Sequence, residues 1–102
     1  MKFLVITTIK DFEKEVTSLL HEAGIAIFSV TETVGHKDHK NNPMLDNWFS
    51  HGEAKFDSLF IFSFTLATQA ERAMELVRQF NQKQAGAFPV HTFVMPVEKW
   101  NP

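Results

Sequence analysis

From residue 56 to residue 66 the chain reads FDSLFIFSFTL, with Phe60, Phe62, Phe64 and Leu66 at every second position. A period of two puts those four side chains on one face of a strand, because successive Cβ atoms of an extended chain point to opposite sides. Phe is used eleven times in 102 residues and Tyr not at all. Two readings follow for so many aromatic rings in so short a chain. They all line one small core, or some of them serve an interface between identical subunits.

The other segments order themselves around this strand. Residues 2–9 (KFLVITTI) are β-branched and aromatic and read as a first strand covered on both faces. Asp11 is placed to cap a helix whose apolar stripe is Phe12, Val16, Leu19, Leu20 and Ala23, with Gly24 ending it in left-handed backbone. Residues 25–34 (IAIFSVTETV) read as a second strand, Ile25, Ile27, Ser29, Thr31 and Thr33 on one side and Ala26, Phe28, Val30, Glu32 and Val34 on the other. After the Phe-rich strand, Thr68-Gln69-Ala70-Glu71 has the form of a capping box. The helix it opens has Ala70, Ala73, Met74, Val77 and Phe80 on its inner stripe. A turn with Gly86 and Pro89 leads to a last strand from Val90 to Met95, stopped by Pro96.

The order β-α-β-β-α-β over residues 1–102 describes one α+β domain, a ferredoxin-like sandwich with two helices on one face of a four-stranded antiparallel sheet. The spare length is a long loop between the second and third strands, residues 36–55, and loops beyond about 12–15 residues in a compact domain are usually functional or disordered. Many activities share this sandwich, so function has to come from the side chains.

Composition removes several of them. With no Cys there is no disulfide, thiolate nucleophile, zinc ribbon or copper-chaperone cysteine pair. A net charge of −2 speaks against a nucleic-acid surface built on bulk positive charge, and the last strand, VHTFVM, lacks the aromatic and basic pattern of an RNA-recognition domain. No run approaches the ~20 apolar residues of a membrane span, and the apolar start at Phe3–Ile6 is interrupted too soon for a secretory signal, so a cytoplasmic location is expected. No nucleophile turn or glycine-rich nucleotide loop is visible, so the chain is not expected to be an enzyme. Histidines and carboxylates would be the only acid–base groups if it were.

Three segments carry a resemblance to a family. SVTETVG, Ser29 to Gly35, resembles the strand that leads into the long loop of the PII signal-transduction proteins. FVMPVEK, Phe93 to Lys99, is similar to that family's closing strand, and the loop between has the length and place of the family's protruding loop. The resemblance spans essentially the whole chain. It implies a homotrimer with the sheets as inner wall and the loops projecting outward. It also implies a small effector, often an adenine nucleotide, in clefts between subunits, and a partner enzyme or transporter that reads the loop. Gly35, His36, Gly86 and His91 fall where the resemblance puts effector contacts.

The departures bear on the ligand. Before the last strand the chain reads QKQAGAFPVHTF, where one glycine is left, Pro89 lacks an N–H donor, and His91 stands where the family has a phosphate-binding lysine. Adenine-nucleotide binding in the usual manner is therefore not expected. The loop supplies His36, His39 and His51 with Asp38, Asp46 and Glu53 nearby, which makes a divalent transition metal the alternative cofactor. The other reading is solvated loop histidines. Met44, Leu45, Trp48 and Phe49 are spaced to align on one side of a short helix, either as a partner-contact surface or folded back on a neighbouring subunit.

Overall fold

The computed structural model describes residues 1–36, 55–84, 86 and 88–102, without the side chains of residues 55 and 56. The chain runs β1 (Lys2–Ile9), a 3₁₀ turn (Lys10–Phe12), α1 (Glu13–Glu22), β2 (Ser29–His36), β3 (Lys55–Thr65), α2 (Ala67–Gln84) and β4 (His91–Pro96). The strands form one sheet in the order β2-β3-β1-β4, every pair antiparallel. This is the α+β arrangement that the sequence predicts.

Alternation divides the sheet into two unlike faces. Leu4 and Ile6 of β1 and Leu59 and Ile61 of β3 meet Val16 and Leu20 of α1 and Ala73, Leu76 and Val77 of α2 in the core. Phe12, Phe28 and Phe80 pack against that cluster, and Phe12 meets Phe80 edge-on at 5.3 Å. Burial of side chains of this size contributes about 1.5–3 kcal/mol each, which fixes the helix layer on that side. Neither α1 nor α2 lies on the opposite face of the sheet.

Several boundaries differ from the sequence reading. Asp11 does not cap α1: the 3₁₀ turn intervenes, and neither it nor α1 has a side-chain cap, although Glu13 and Glu15 do place acid in the first turn of the helix. The second strand starts at Ser29 rather than residue 25, because α1 ends in a Schellman arrangement. Gly24 has φ of 81°, its N–H reaches the His21 carbonyl at 3.0 Å, and the Ile25 N–H reaches the Leu20 carbonyl at 2.9 Å. That closure turns Ile25 into the core instead of onto a strand face.

α2 begins at Ala67, ahead of the Thr68 box. The Ala70 N–H already bonds the Leu66 carbonyl at 3.1 Å, and the reach-back to the start of the helix comes from Gln69, whose Oε1 accepts from the Leu66 N–H at 3.1 Å. The other half of the same amide donates to the Gly24 carbonyl at 3.0 Å, joining the start of α2 to the end of α1. Met74 is 37% exposed, and the buried stripe runs instead through Ala70, Ala73, Leu76 and Val77. Pro96 ends β4 as expected, paired opposite Lys2.

Candidate functional site: the aromatic sheet face

The ladder register sets this face out in rows. Phe64, Phe3 and Met95 stand opposite one another at one end; Ser29, Phe62, Val5 and Phe93 form the next row, and Thr31, Phe60, Thr7 and His91 the one after. Thr33, Ser58 and Ile9 complete the face toward the loop end, where the Thr33 and Ser58 hydroxyls bond at 2.7 Å. The phenylalanines thus divide between two jobs. Phe12, Phe28 and Phe80 belong to the core, whereas Phe3, Phe60, Phe62, Phe64 and Phe93 lie on the open face.

These rings touch in tilted pairs. Phe3 lies 5.0 Å from Phe64 and 5.9 Å from Phe62, and Phe60 lies 5.8 Å from Phe62. Val5 beside them is only 2% exposed, while Phe64 is 60% exposed. A shallow concavity of about 510 Å³ opens between Phe3, Phe60, Phe93 and Met95. Among the described residues on this face there is no Asp, Glu, Lys or Arg. The charged residues of the strands, Lys2, Glu32, Lys55 and Asp57, fall in the other phase of the alternation. An antiparallel sheet with one wet face ordinarily alternates apolar with polar residues. This one does not.

The expected effector residues do not converge within one chain. Gly35 and His36 end β2, whereas His91 starts β4, and these strands are opposite edges of the sheet. Three strand spacings across the sheet, about 14 Å, separate them, and Gly35 and His91 are offset along the strands as well, Gly35 standing opposite Phe56 and His91 in the row of Phe60. Gly35 lies on the open-face side and is buried, while His36 points the other way and is exposed. The Gly86 N–H is engaged by Gln84 Oε1 at 3.0 Å, so it is not presented to a phosphate.

A second, polar cleft of about 400 Å³ sits at the base of the β2–β3 hairpin, lined by Lys10, Glu32, Thr33, Val34, Asp57 and Ser58. Lys10 bonds Glu32 at 2.7 Å, and that hydrogen bond raises the ammonium above its ordinary value. One cation beside two carboxylates does not suit a phosphate.

No group of three or more metal-ligating side chains occurs among the described residues. His39 and His51, and the contact residues Met44, Leu45, Trp48 and Phe49, lie outside the described residues. The discounting of RNA on the last strand needs one correction. The central strands β1 and β3 do carry aromatic side chains on the open face, with Phe93 on β4 as well; it is a Lys or Arg to meet phosphate that is absent from this face among the described residues. Sequence reasoning picked out Phe60, Phe62 and Phe64 but missed Phe3, Val5, Phe93 and Met95. The alternation in KFLVITTI and HTFVMP groups them, and the strand pairing shows which group faces away from α1 and α2.

No protein-family model matches the chain, and no curated protein does. Among solved structures it is similar to a DUF3240 family protein from Shewanella baltica OS155, with a TM-score of 0.60 and 15% identity over 99% of this chain and 93% of that one. At that identity the likeness establishes the fold alone. No described helix is long and apolar enough to cross a membrane.

Proposed function

We propose that this chain is a PII-like regulatory subunit. Copies assemble as a homotrimer through the aromatic sheet faces, a small effector enters the clefts between subunits, and the segment 36–55 reports its presence to a partner enzyme or transporter in the cytoplasm. The observation that carries this reading is the open face itself, five phenylalanines with no Asp, Glu, Lys or Arg among its described residues. Identical copies carry identical charges, so a charged face would repel its own copy, and this one does not. A nucleic-acid strand would find rings to stack on but, among the described residues of the face, no Lys or Arg for its phosphates.

The edge positions support the effector part of the reading. Gly35 and His36 on one edge and His91 on the other are separated in a single chain. In a closed ring the β2 edge of one subunit approaches the β4 edge of the next, and such a cleft draws its lining from both. Ligand binding would then select among arrangements of the segment that follows β2.

Light scattering coupled to gel filtration tests the assembly. The expected mass is three times 11.7 kDa. A strict monomer across the micromolar range overturns the proposal. Thermal-shift screening with adenine nucleotides and with zinc, copper and nickel then separates an effector site from a histidine metal site, because a ligand selective for the native state raises its apparent stability.

A further inference from the structure

We propose that β2 is a self-pairing edge: two copies join their β2 strands antiparallel about a two-fold axis at Glu32, running their four-stranded sheets into one. This goes beyond the ring proposed above and does not rest on it. A copy paired in this way has no β2 edge left to line a cleft.

β2 is an outer strand, with β3 its only strand neighbour among the described residues. Its backbone groups that point away from β3 are a template for a further strand. Edge strands ordinarily blunt that template with proline, lysine, a bulge or an inward-pointing charge. β2 has no Pro, Lys or Arg, and its register with β3 runs from Ser29 opposite Phe62 to His36 opposite Lys55 without a bulge. Its one acid, Glu32, is bonded to Lys10 at 2.7 Å. The other outer strand, β4, is shorter and ends on Pro96.

The sequence of the strand points to a second copy as the occupant. Residues 30–34 read VTETV, the same in both directions. In an antiparallel pair centred on Glu32, Val30 stands opposite the partner's Val34, and Thr31 opposite the partner's Thr33. Like residues then meet as cross-strand pairs. Val30 and Val34 are 37% and 48% exposed although they share the phase of Leu59 and Ile61, because no described β2 residue belongs to the core under α1 and α2. Covering those valines is the gain of the contact. The two central glutamates are like charges, but each brings its own lysine, so the cluster has no net charge. A centre at Thr31 or Thr33 would set a valine against the partner's Glu32, so the register is specified. One strand edge buries less than the ~1,200 Å² of a stable interface, so the pairing is weak, with a Kd of roughly 0.1–1 mM.

The test uses the full chain carrying Phe64→Ser, which takes the aromatic face out of play. The sequence has no Cys, so Val30→Cys and Val34→Cys each add a single thiol. Opposite residues of an antiparallel pair have Cα atoms about 4.5–5.5 Å apart, within disulfide range. Under mild oxidation an equimolar mixture of the two variants is expected to form a disulfide-linked dimer, and each alone to stay largely monomeric. In parallel, amide chemical shifts of β2 are expected to move as concentration rises toward about 1 mM. Val30→Lys/Val34→Lys puts like charges opposite each other and should weaken the pairing about tenfold or more. Val30→Lys/Val34→Glu and Val30→Glu/Val34→Lys put opposite charges there and should both keep it. A loss in either moves the centre off Glu32 and overturns the register. Cross-linking no greater in the mixture than in the single variants overturns the pairing. So do β2 shifts that ignore concentration or survive Val30→Lys/Val34→Lys. None of these results touches the ring, which light scattering of the wild type reads separately.

Discussion

Asn81 and Val90 are joined by two hydrogen bonds of 2.8 Å, the Asn81 Nδ2 donating to the Val90 carbonyl and the Val90 N–H donating to the Asn81 Oδ1. The side-chain amide stands in for a strand neighbour and fixes the residue just before β4. Val90 is thereby held in the core, and the next residue, His91, is turned to the open face. Asn81→Ala leaves both backbone groups of a buried residue unpaired. The expected cost is about 1–3 kcal/mol in chemical denaturation. Asn81→Asp keeps the acceptor but sets a carboxylate against the Val90 carbonyl, and should cost at least as much near neutral pH.

Gly24 gives a second test of a backbone device. Its φ of 81° belongs to the left-handed region, where a Cβ is penalised by about 1–2 kcal/mol. A Cβ there would meet only Gln69 Nε2 at 3.8 Å, an ordinary contact, so space is not the obstacle. Gly24→Ala should therefore lower stability by about that penalty with no change in the sheet, as read by amide chemical shifts of β1 and β3. Gly24→Asn, which tolerates this conformation better, should recover part of the loss.

The fold was legible because its two periods are clean. FDSLFIFSFTL alternates without a break, and the Val16, Leu19, Leu20 and Ala23 intervals admit only a helix. What was not legible has a common cause. Ile25 left its strand because the α1 closure uses backbone hydrogen bonds, and those have no side-chain signature beyond Gly24. Gln69 took the capping task from Thr68 because a bond to the Gly24 carbonyl, distant in sequence, favours that register. Half of the candidate site could be read from the alternation of β3. The rest, Phe3, Val5, Phe93 and His91 on the same face, needed the strand order, since only pairing tells which phase of β1 and β4 faces away from the helices.

Acid should act on α2 at one identifiable place. Arg78 donates through Nε to Glu75 Oε2 at 2.9 Å and through a second nitrogen to Oε1, and Gln79 donates to Oε1 at 3.2 Å. The Arg78 hydrogen bonds, with that of Gln79, lower the Glu75 carboxyl from its ordinary 4.5 to about 2. A carboxyl lowered in the folded state favours folding above its ordinary value. That contribution is lost as pH falls from 4.5 toward 2. Both partners are exposed, so the effect on global stability is small, and the direct reading is an NMR titration of the Glu75 side chain. Arg78→Ala should return its midpoint close to the ordinary range. A midpoint that stays near 2 would show that Arg78 is not the cause.

Leu20 and Phe64 are both large and apolar, and they should respond to truncation in opposite ways. Leu20 is 1% exposed in the core between α1 and the sheet, so Leu20→Ala is expected to cost about 2–5 kcal/mol from lost burial and the cavity left behind. Phe64 is 60% exposed at the rim of the open face, where Phe64→Ser removes little that the isolated chain has buried. Its cost appears when copies associate, because an oligomer gains apparent stability with protein concentration. The midpoint of thermal unfolding should thus rise with concentration in the wild type. In Leu20→Ala it should be lower at every concentration but rise in the same way, whereas in Phe64→Ser it should be flat. A concentration-dependent midpoint that survives Phe64→Ser would move the interface off this face.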